Sequence, residues 1–127
     1  MPTVLVVDDE PMIRKFVRFV LEREGFQVLI AENGADAIQV SKHHMGKIDL
    51  LLSDVTMPGM DGPTLATELV AADPQLPVLL MSGACQGSTD MRFGFLSKPF
   101  SVAKLMLTVR GMACCNPAAP AALKRSG

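Results

Sequence analysis

At 127 residues and 13.6 kDa, the chain has the length of a single domain. With 49% hydrophobic and 20% charged residues it can bury one ordinary globular core. A net charge of -1, from 12 basic and 13 acidic side chains, excludes an electrostatic case for nucleic acid or an anionic membrane surface.

Val4 to Val7 is an unbroken apolar run, the mark of a strand covered on both faces. It ends in Asp8, Asp9 and Glu10. Pro11 suits a first helical turn, and Ile13, Phe16, Val17, Val20 and Leu21 follow at helical spacing, with Gly25 placed to close the helix. Gln27 to Ala31 reads as a second strand and Gly34 to about His44 as a helix. Ile48 to Leu52 is a third buried run, ending at Ser53-Asp54. Pro63 to Ala72 is a third helix, stopped by Asp73-Pro74. Val78 to Met81 is a fourth strand that runs into Ser82-Gly83. Phe93 to Leu96 is a short fifth strand, followed by Ser97-Lys98-Pro99-Phe100. Ser101 is placed to cap a last helix reaching about Met112. Residues 116–127, Ala/Pro-rich, read as a flexible tail after a domain spanning 1–115.

Strands alternating with helices predict a parallel α/β sheet with helices on both faces. No apolar run approaches the length of about 18 residues that a membrane span needs, so no membrane insertion is expected. The N-terminal MPTVLVVDDE lacks the basic start and cleavage site of a signal peptide. Cys85, Cys114 and Cys115 are an odd count with no zinc spacing. Reduced thiols in a cytoplasmic protein are the plain reading, and a Cys114–Cys115 redox pair is the alternative.

In an open α/β sheet, ligands bind beyond the carboxyl ends of the strands. The first strand delivers Asp8 and Asp9 there, the third Asp54, the fourth Ser82 and the fifth Lys98. Carboxylates gathered in one place repel and raise one another's pKa values unless cations intervene. Lys98 is one cation. A hard divalent ion with oxygen ligands is another. Such a balanced cluster suits an incoming phosphoryl group, with a carboxylate as nucleophile.

Asp-Asp after the first strand, Asp-x-x-Met-Pro-Gly-Met-Asp-Gly after the third, Ser-Gly-Ala after the fourth and Lys-Pro-Phe after the fifth resemble the receiver domain of two-component response regulators. The resemblance covers roughly residues 3–112 and implies a flavodoxin-like, doubly wound, five-stranded parallel sheet of order 2-1-3-4-5. It also assigns roles. Asp54 matches the phosphorylated aspartate, Asp9 the direct Mg²⁺ ligand and Asp8 a ligand acting mainly through water. Thr56 matches the residue whose backbone carbonyl completes the metal set, in which Mn²⁺ is a substitute for Mg²⁺. Lys98 matches the lysine paired with the phosphoryl oxygens, Ser82 the hydroxyl that swings to bond them and Phe95 the aromatic that rotates in response. The Lys98–Pro99 bond is typically cis in that family.

Each residue also has a plainer reading. Asp54 could cap a helix, Asp8 could be a solvated turn residue and Ser82 could be a cap. Phe95 could be ordinary core. Asp61 could be a fourth site acid or serve the turn before the third helix. Met57, Met60 and Met81 read as packing, and His43 and His44 as surface.

One spacing departs from the family. Residues 82–92 must return the chain from the fourth strand to the fifth, near the minimum of about 10–12 residues for a parallel crossover. Their sequence, SGACQGSTDMR, carries two glycines and little apolar periodicity. At most one helical turn is predicted there, so the fourth helix of the family is shortened or absent. A different partner surface and a monomer are expected. Such shortening also occurs in receivers attached to hybrid histidine kinases, so a stand-alone protein and an excised module both remain open.

The resemblance implies a phosphoacceptor switch served by a histidine kinase or histidine phosphotransfer protein and read by a downstream protein, with no direct nucleic-acid contact. Catalysis is then limited to self-phosphorylation and slow release. The alternative is a receiver-fold interaction module that is never phosphorylated. An aspartate-nucleophile phosphatase of haloacid-dehalogenase type would want an acid where Thr56 stands. No GxGxxG follows the first strand, which disfavours a dinucleotide site.

Overall fold

The computed structural model describes residues 2–82, 93–98 and 100–113. Five strands form one parallel sheet: β1 (Thr3–Val7), β2 (Gln27–Ala31), β3 (Leu50–Asp54), β4 (Val78–Ser82) and β5 (Phe93–Ser97). Their order is β2-β1-β3-β4-β5. Among the described residues the helices are α1 (Pro11–Arg23), α2 (Gly34–His43), α3 (Gly62–Ala72) and α4 (Val102–Ala113).

The two-residue period of the strands sorts the core into two layers. Val4 and Val6, Leu50 and Leu52, Leu79 and Met81, and Leu96 face one side, where Val17, Val20 and Leu21 of α1 and Leu105 and Val109 of α4 cover them. Leu5 and Val7, Leu51, Val78 and Leu80 face the other, against Ala37 of α2 and Leu65, Ala66 and Leu69 of α3. Covering both faces requires unbroken apolar runs, which is why β1, β3 and β4 read as such.

The helix ends follow local chemistry. Gly25, at φ +92°, follows the α1 cap residue Glu24. That left-handed step lets Gly25 N–H and Phe26 N–H return to the carbonyls of Glu22 and Leu21. The Asn33 side chain accepts from Asp36 N–H to start α2, and Ser101 Oγ accepts from Lys104 N–H to start α4.

Several boundaries shift by a residue, and both ends of β3 differ from expectation in a way that bears on the site. β3 begins at Leu50 rather than Ile48: the paired register starts at Val4 and Leu50, and Asp49 just before it holds Thr3 by donating its N–H to Thr3 O at 2.7 Å and accepting Thr3 N–H on its carboxylate at 2.8 Å. It also continues through Ser53 and Asp54. Ser53 is paired with Val7 and Leu80 on its two sides, and Asp54 with Met81 of β4, so Asp54 is carried as the last residue of the strand rather than on a loop beyond it. The predicted single turn between β4 and β5, the Lys98–Pro99 bond and the tail fall outside the described residues.

Candidate functional site

Parallel pairing brings the ends of β1, β3, β4 and β5 to one edge of the sheet. There Asp8, Asp9 and Asp54 can each offer one carboxylate oxygen, all within 4.8 Å of one another. Asp8 is fully buried and Asp54 is 7% exposed, whereas Asp9 faces solvent. Lys98 Nζ stands between the two buried acids, 3.1 Å from Asp8 Oδ2 and 3.4 Å from Asp54 Oδ1. The Lys98 backbone is fixed by its N–H donating to Ser82 O at 2.8 Å. The tips of β4 and β5 are therefore tied where the ammonium enters the site.

These groups perturb one another. Burial raises the Asp54 carboxyl above its ordinary pKa and the Asp8 charge raises it further. The Lys98 charge and hydrogen bond, and a backbone hydrogen bond from Thr56, pull the other way without cancelling the rise. Burial alone would lower Lys98, but the charges and hydrogen bonds of Asp8 and Asp54 outweigh it and raise its pKa. Three carboxylates with one ammonium leave the cluster with excess negative charge.

That excess is the test for a divalent cation. Asp8 is committed to the protein, since Oδ1 accepts from Glu10 N–H at 2.9 Å and Oδ2 from Lys98. Among the described residues the Asp9 carboxylate takes no hydrogen bond, and a cleft of about 520 Å³ opens beside it, lined by Glu32, Asn33, Gly34, Pro58, Gly59 and Met60. Hard oxygen donors at this spacing, one of them open to solvent, fit Mg²⁺, which holds few carboxylates and keeps several waters.

The other candidate residues lie at several places in the fold. Thr56 lies on the turn after β3, with its side chain exposed. Ser82 is half-buried at the end of β4. Phe95 is 37% exposed, so it does not have the setting of an ordinary core side chain. It pairs with Leu80 across β4 and β5, on the face opposite to Leu96. Asp61 stands apart from the acidic cluster as the N-cap of α3, accepting Thr64 N–H at 2.9 Å. The hydrogen bonds from Thr64 lower its pKa. His43 is exposed at the end of α2.

Two contributors escaped the sequence reading. Arg14 Nη1 donates to the backbone carbonyl of Asp8 at 2.6 Å. A basic residue one turn into a helix is common on exposed faces, so the sequence carried no distinguishing signal for it. Gly62 packs so tightly that a Cβ there would stand 2.3 Å from the Asp54 carbonyl oxygen. Nothing in the sequence distinguishes that demand from ordinary turn use of glycine.

The doubly wound sheet, with acids at β1 and β3 and a lysine after β5, defines the receiver class of α/β proteins. The comparisons agree. The response regulator receiver domain model matches residues 4–110. The sensor kinase CckA of Brucella abortus is 38% identical over 87% of this chain, which spans only 12% of that protein's length. The chemotaxis protein CheY of Bacillus subtilis is 34% identical over 81% of this chain and 90% of its own. The response regulator TrrA of Thermotoga maritima, crystallised with Mg²⁺-BeF, superposes with a TM-score of 0.78 at 29% identity, covering 88% of this chain and 99% of that one. The chain belongs to the response regulator receiver domain family of two-component systems. No helix among the described residues is long and apolar enough to cross a membrane.

Proposed function

We propose that the chain is a phosphoacceptor switch in which Asp54 receives a phosphoryl group from a phosphohistidine of a histidine kinase or histidine phosphotransfer protein. The observation that carries this reading is Lys98 Nζ placed 3.4 Å from Asp54 Oδ1, inside a group of three convergent carboxylates. An Asp54 oxygen lone pair forms the new O–P bond. The P–N bond to the imidazole breaks, and its electron pair stays on the ring nitrogen. Lys98 neutralises negative charge on the phosphoryl oxygens as this happens. Asp9 and Asp54, with the Thr56 carbonyl, would hold Mg²⁺ or Mn²⁺ directly, and Asp8 would do so through water. When bound, the ion spreads phosphoryl charge and relieves carboxylate repulsion. The Mg²⁺ in the TrrA crystals supports this choice of cation.

Ser82, at the tip of β4 beside the Lys98 backbone, turns its hydroxyl to the new phosphoryl group. Phe95, partly exposed on β5, changes packing with it, which alters partner binding. Water later cleaves the acyl phosphate and restores Asp54. The receiver unit is residues 1–115, acting as a monomer on a downstream protein, with 116–127 as a tail.

Incubation with acetyl phosphate and Mg²⁺, followed by mass spectrometry, tests the reading. One added phosphoryl group that is lost in Asp54→Asn is expected. No adduct at any Mg²⁺ concentration would instead favour the unphosphorylated interaction module.

A further inference from the structure

Asp8 uses every polar atom it has. Its N–H donates to Ala31 O at 3.3 Å, and its carbonyl accepts from Arg14 Nη1 at 2.6 Å. Its Oδ1 accepts from Glu10 N–H at 2.9 Å and its Oδ2 from Lys98 Nζ at 3.1 Å. Two of these donors are backbone-independent side chains. Lys98 holds the carboxylate, and Arg14 reaches back from α1 to the peptide that joins Asp8 to Asp9.

That peptide sets where the Asp9 carboxylate points. Asp9 is exposed, takes no hydrogen bond among the described residues and borders an open cleft, so its own side chain has no local restraint. A short charge-assisted bond from a guanidinium is a strong restraint on a carbonyl. From this geometry we propose that Arg14 is a positioning residue for the divalent cation: by clamping the Asp8 carbonyl it orients the Asp8–Asp9 peptide and aims Asp9 at the ion. This rests on the reading of the acidic cluster as a cation site.

The sign of the effect separates positioning from charge. Arg14 is a cation close to a cation site, so removing its charge alone would tighten divalent binding. Removing its grip on the peptide would loosen it. Residues that orient metal ligands typically change affinity by roughly 10–100-fold when lost.

The experiment is calorimetric titration of the phosphate-free protein with MgCl₂, for wild type, Arg14→Ala, Arg14→Met and Arg14→Lys. Thermal unfolding without Mg²⁺ is run in parallel. Positioning gives a Mg²⁺ Kd roughly tenfold weaker in Arg14→Ala and Arg14→Met. In Arg14→Lys, which keeps one donor and the charge, affinity returns towards wild type. Saturating Mg²⁺ should restore most of the acetyl phosphate labelling rate in the weakened variants. Arg14→Met keeps the aliphatic stem and serves if Arg14→Ala folds poorly. Unchanged or tighter Mg²⁺ binding in the folded variants, with wild type binding normally, overturns the role of Arg14 alone. Wild type that binds no Mg²⁺ overturns the cation site itself, and this role with it.

Discussion

Lys98 Nζ sits 3.1 Å from Oδ2 of Asp8, a carboxylate with no solvent exposure. The same ammonium is 3.4 Å from Asp54 Oδ1, so one cation bridges two acids that otherwise repel. Lys98→Met removes that cation and keeps most of the stem. It should lower the unfolding free energy by about 2–3 kcal/mol in Mg²⁺-free buffer. Added Mg²⁺ should then recover more stability in the variant than in wild type, because it replaces the missing charge. The raised Lys98 pKa adds an alkaline signature. Its stabilising contribution is full below the ordinary lysine value and is lost as pH rises through the folded value. Urea titrations across pH, with and without Mg²⁺, check both effects. Equal Mg²⁺ gains in the two proteins would count against the arrangement.

Asp54 carries the opposite sign. Burial, then the Asp8 charge, raise its pKa above 3.8, so the folded protein holds the proton more tightly than the unfolded chain does. The stability contributed by protonated Asp54 is present below the ordinary carboxylate value and is lost as pH rises through the folded value. At neutral pH the ionised group therefore costs stability when no metal is bound. Asp54→Asn should melt higher than wild type at neutral pH without Mg²⁺. The advantage should shrink towards acid pH, and also on adding Mg²⁺. A neutral-pH Tm for Asp54→Asn below that of wild type would show that the Lys98 attraction outweighs burial.

The sequence made these acids findable because two independent patterns coincide. Apolar runs at Val4–Val7 and Leu50–Leu52 mark strands buried on both faces, and polar residues where such runs end must lie at the sheet edge. Asp8, Asp54 and Lys98 could thus be placed together with no distance in hand. Boundaries were less legible. Ile48 is as apolar as Leu50, and residue type does not record that the backbone and side chain of Asp49 both turn to Thr3 just before pairing begins. Phe95 looked as much like core as like a switch residue. Its 37% exposure depends on what covers the β5 face, which residue type does not record. Arg14 was illegible for a related reason. Its value lies in one bond to a backbone carbonyl, and a surface arginine without that bond has the same sequence signature.

Gly62 illustrates a demand made by backbone alone. It begins α3, and its N–H donates to Val55 O at 2.9 Å. A methyl group there would meet Asp54 O at 2.3 Å and Val55 Cα at 3.0 Å, neither of which can rotate away. Gly62→Ala must therefore displace either the start of α3 or the end of β3. A loss of about 1–3 kcal/mol is expected from such overpacking. Labelling of Asp54 by acetyl phosphate should fall with it, even at temperatures where the variant is fully folded. Wild-type stability together with wild-type labelling would mean that the turn yields more easily than this packing implies.

Asp61 follows Asp54 closely enough in sequence to pass for another member of the acidic cluster, yet its carboxylate caps α3. The Thr64 hydroxyl and backbone N–H hydrogen-bond it and lower its pKa. Its stabilising contribution is present above the ordinary value of 3.8 and is lost as pH falls through the depressed folded value. Asp61→Ala should cost about 1 kcal/mol, the usual worth of an N-cap, and the deficit should vanish in acid. Asp61→Asn, which can still accept from Thr64, should recover most of it. Neither change should alter the Mg²⁺ Kd or the labelling of Asp54 once the proteins are compared at equal folded fraction. A specific loss of Mg²⁺ affinity in Asp61→Asn would move Asp61 into the site, because the neutral amide keeps the cap and removes only the charge.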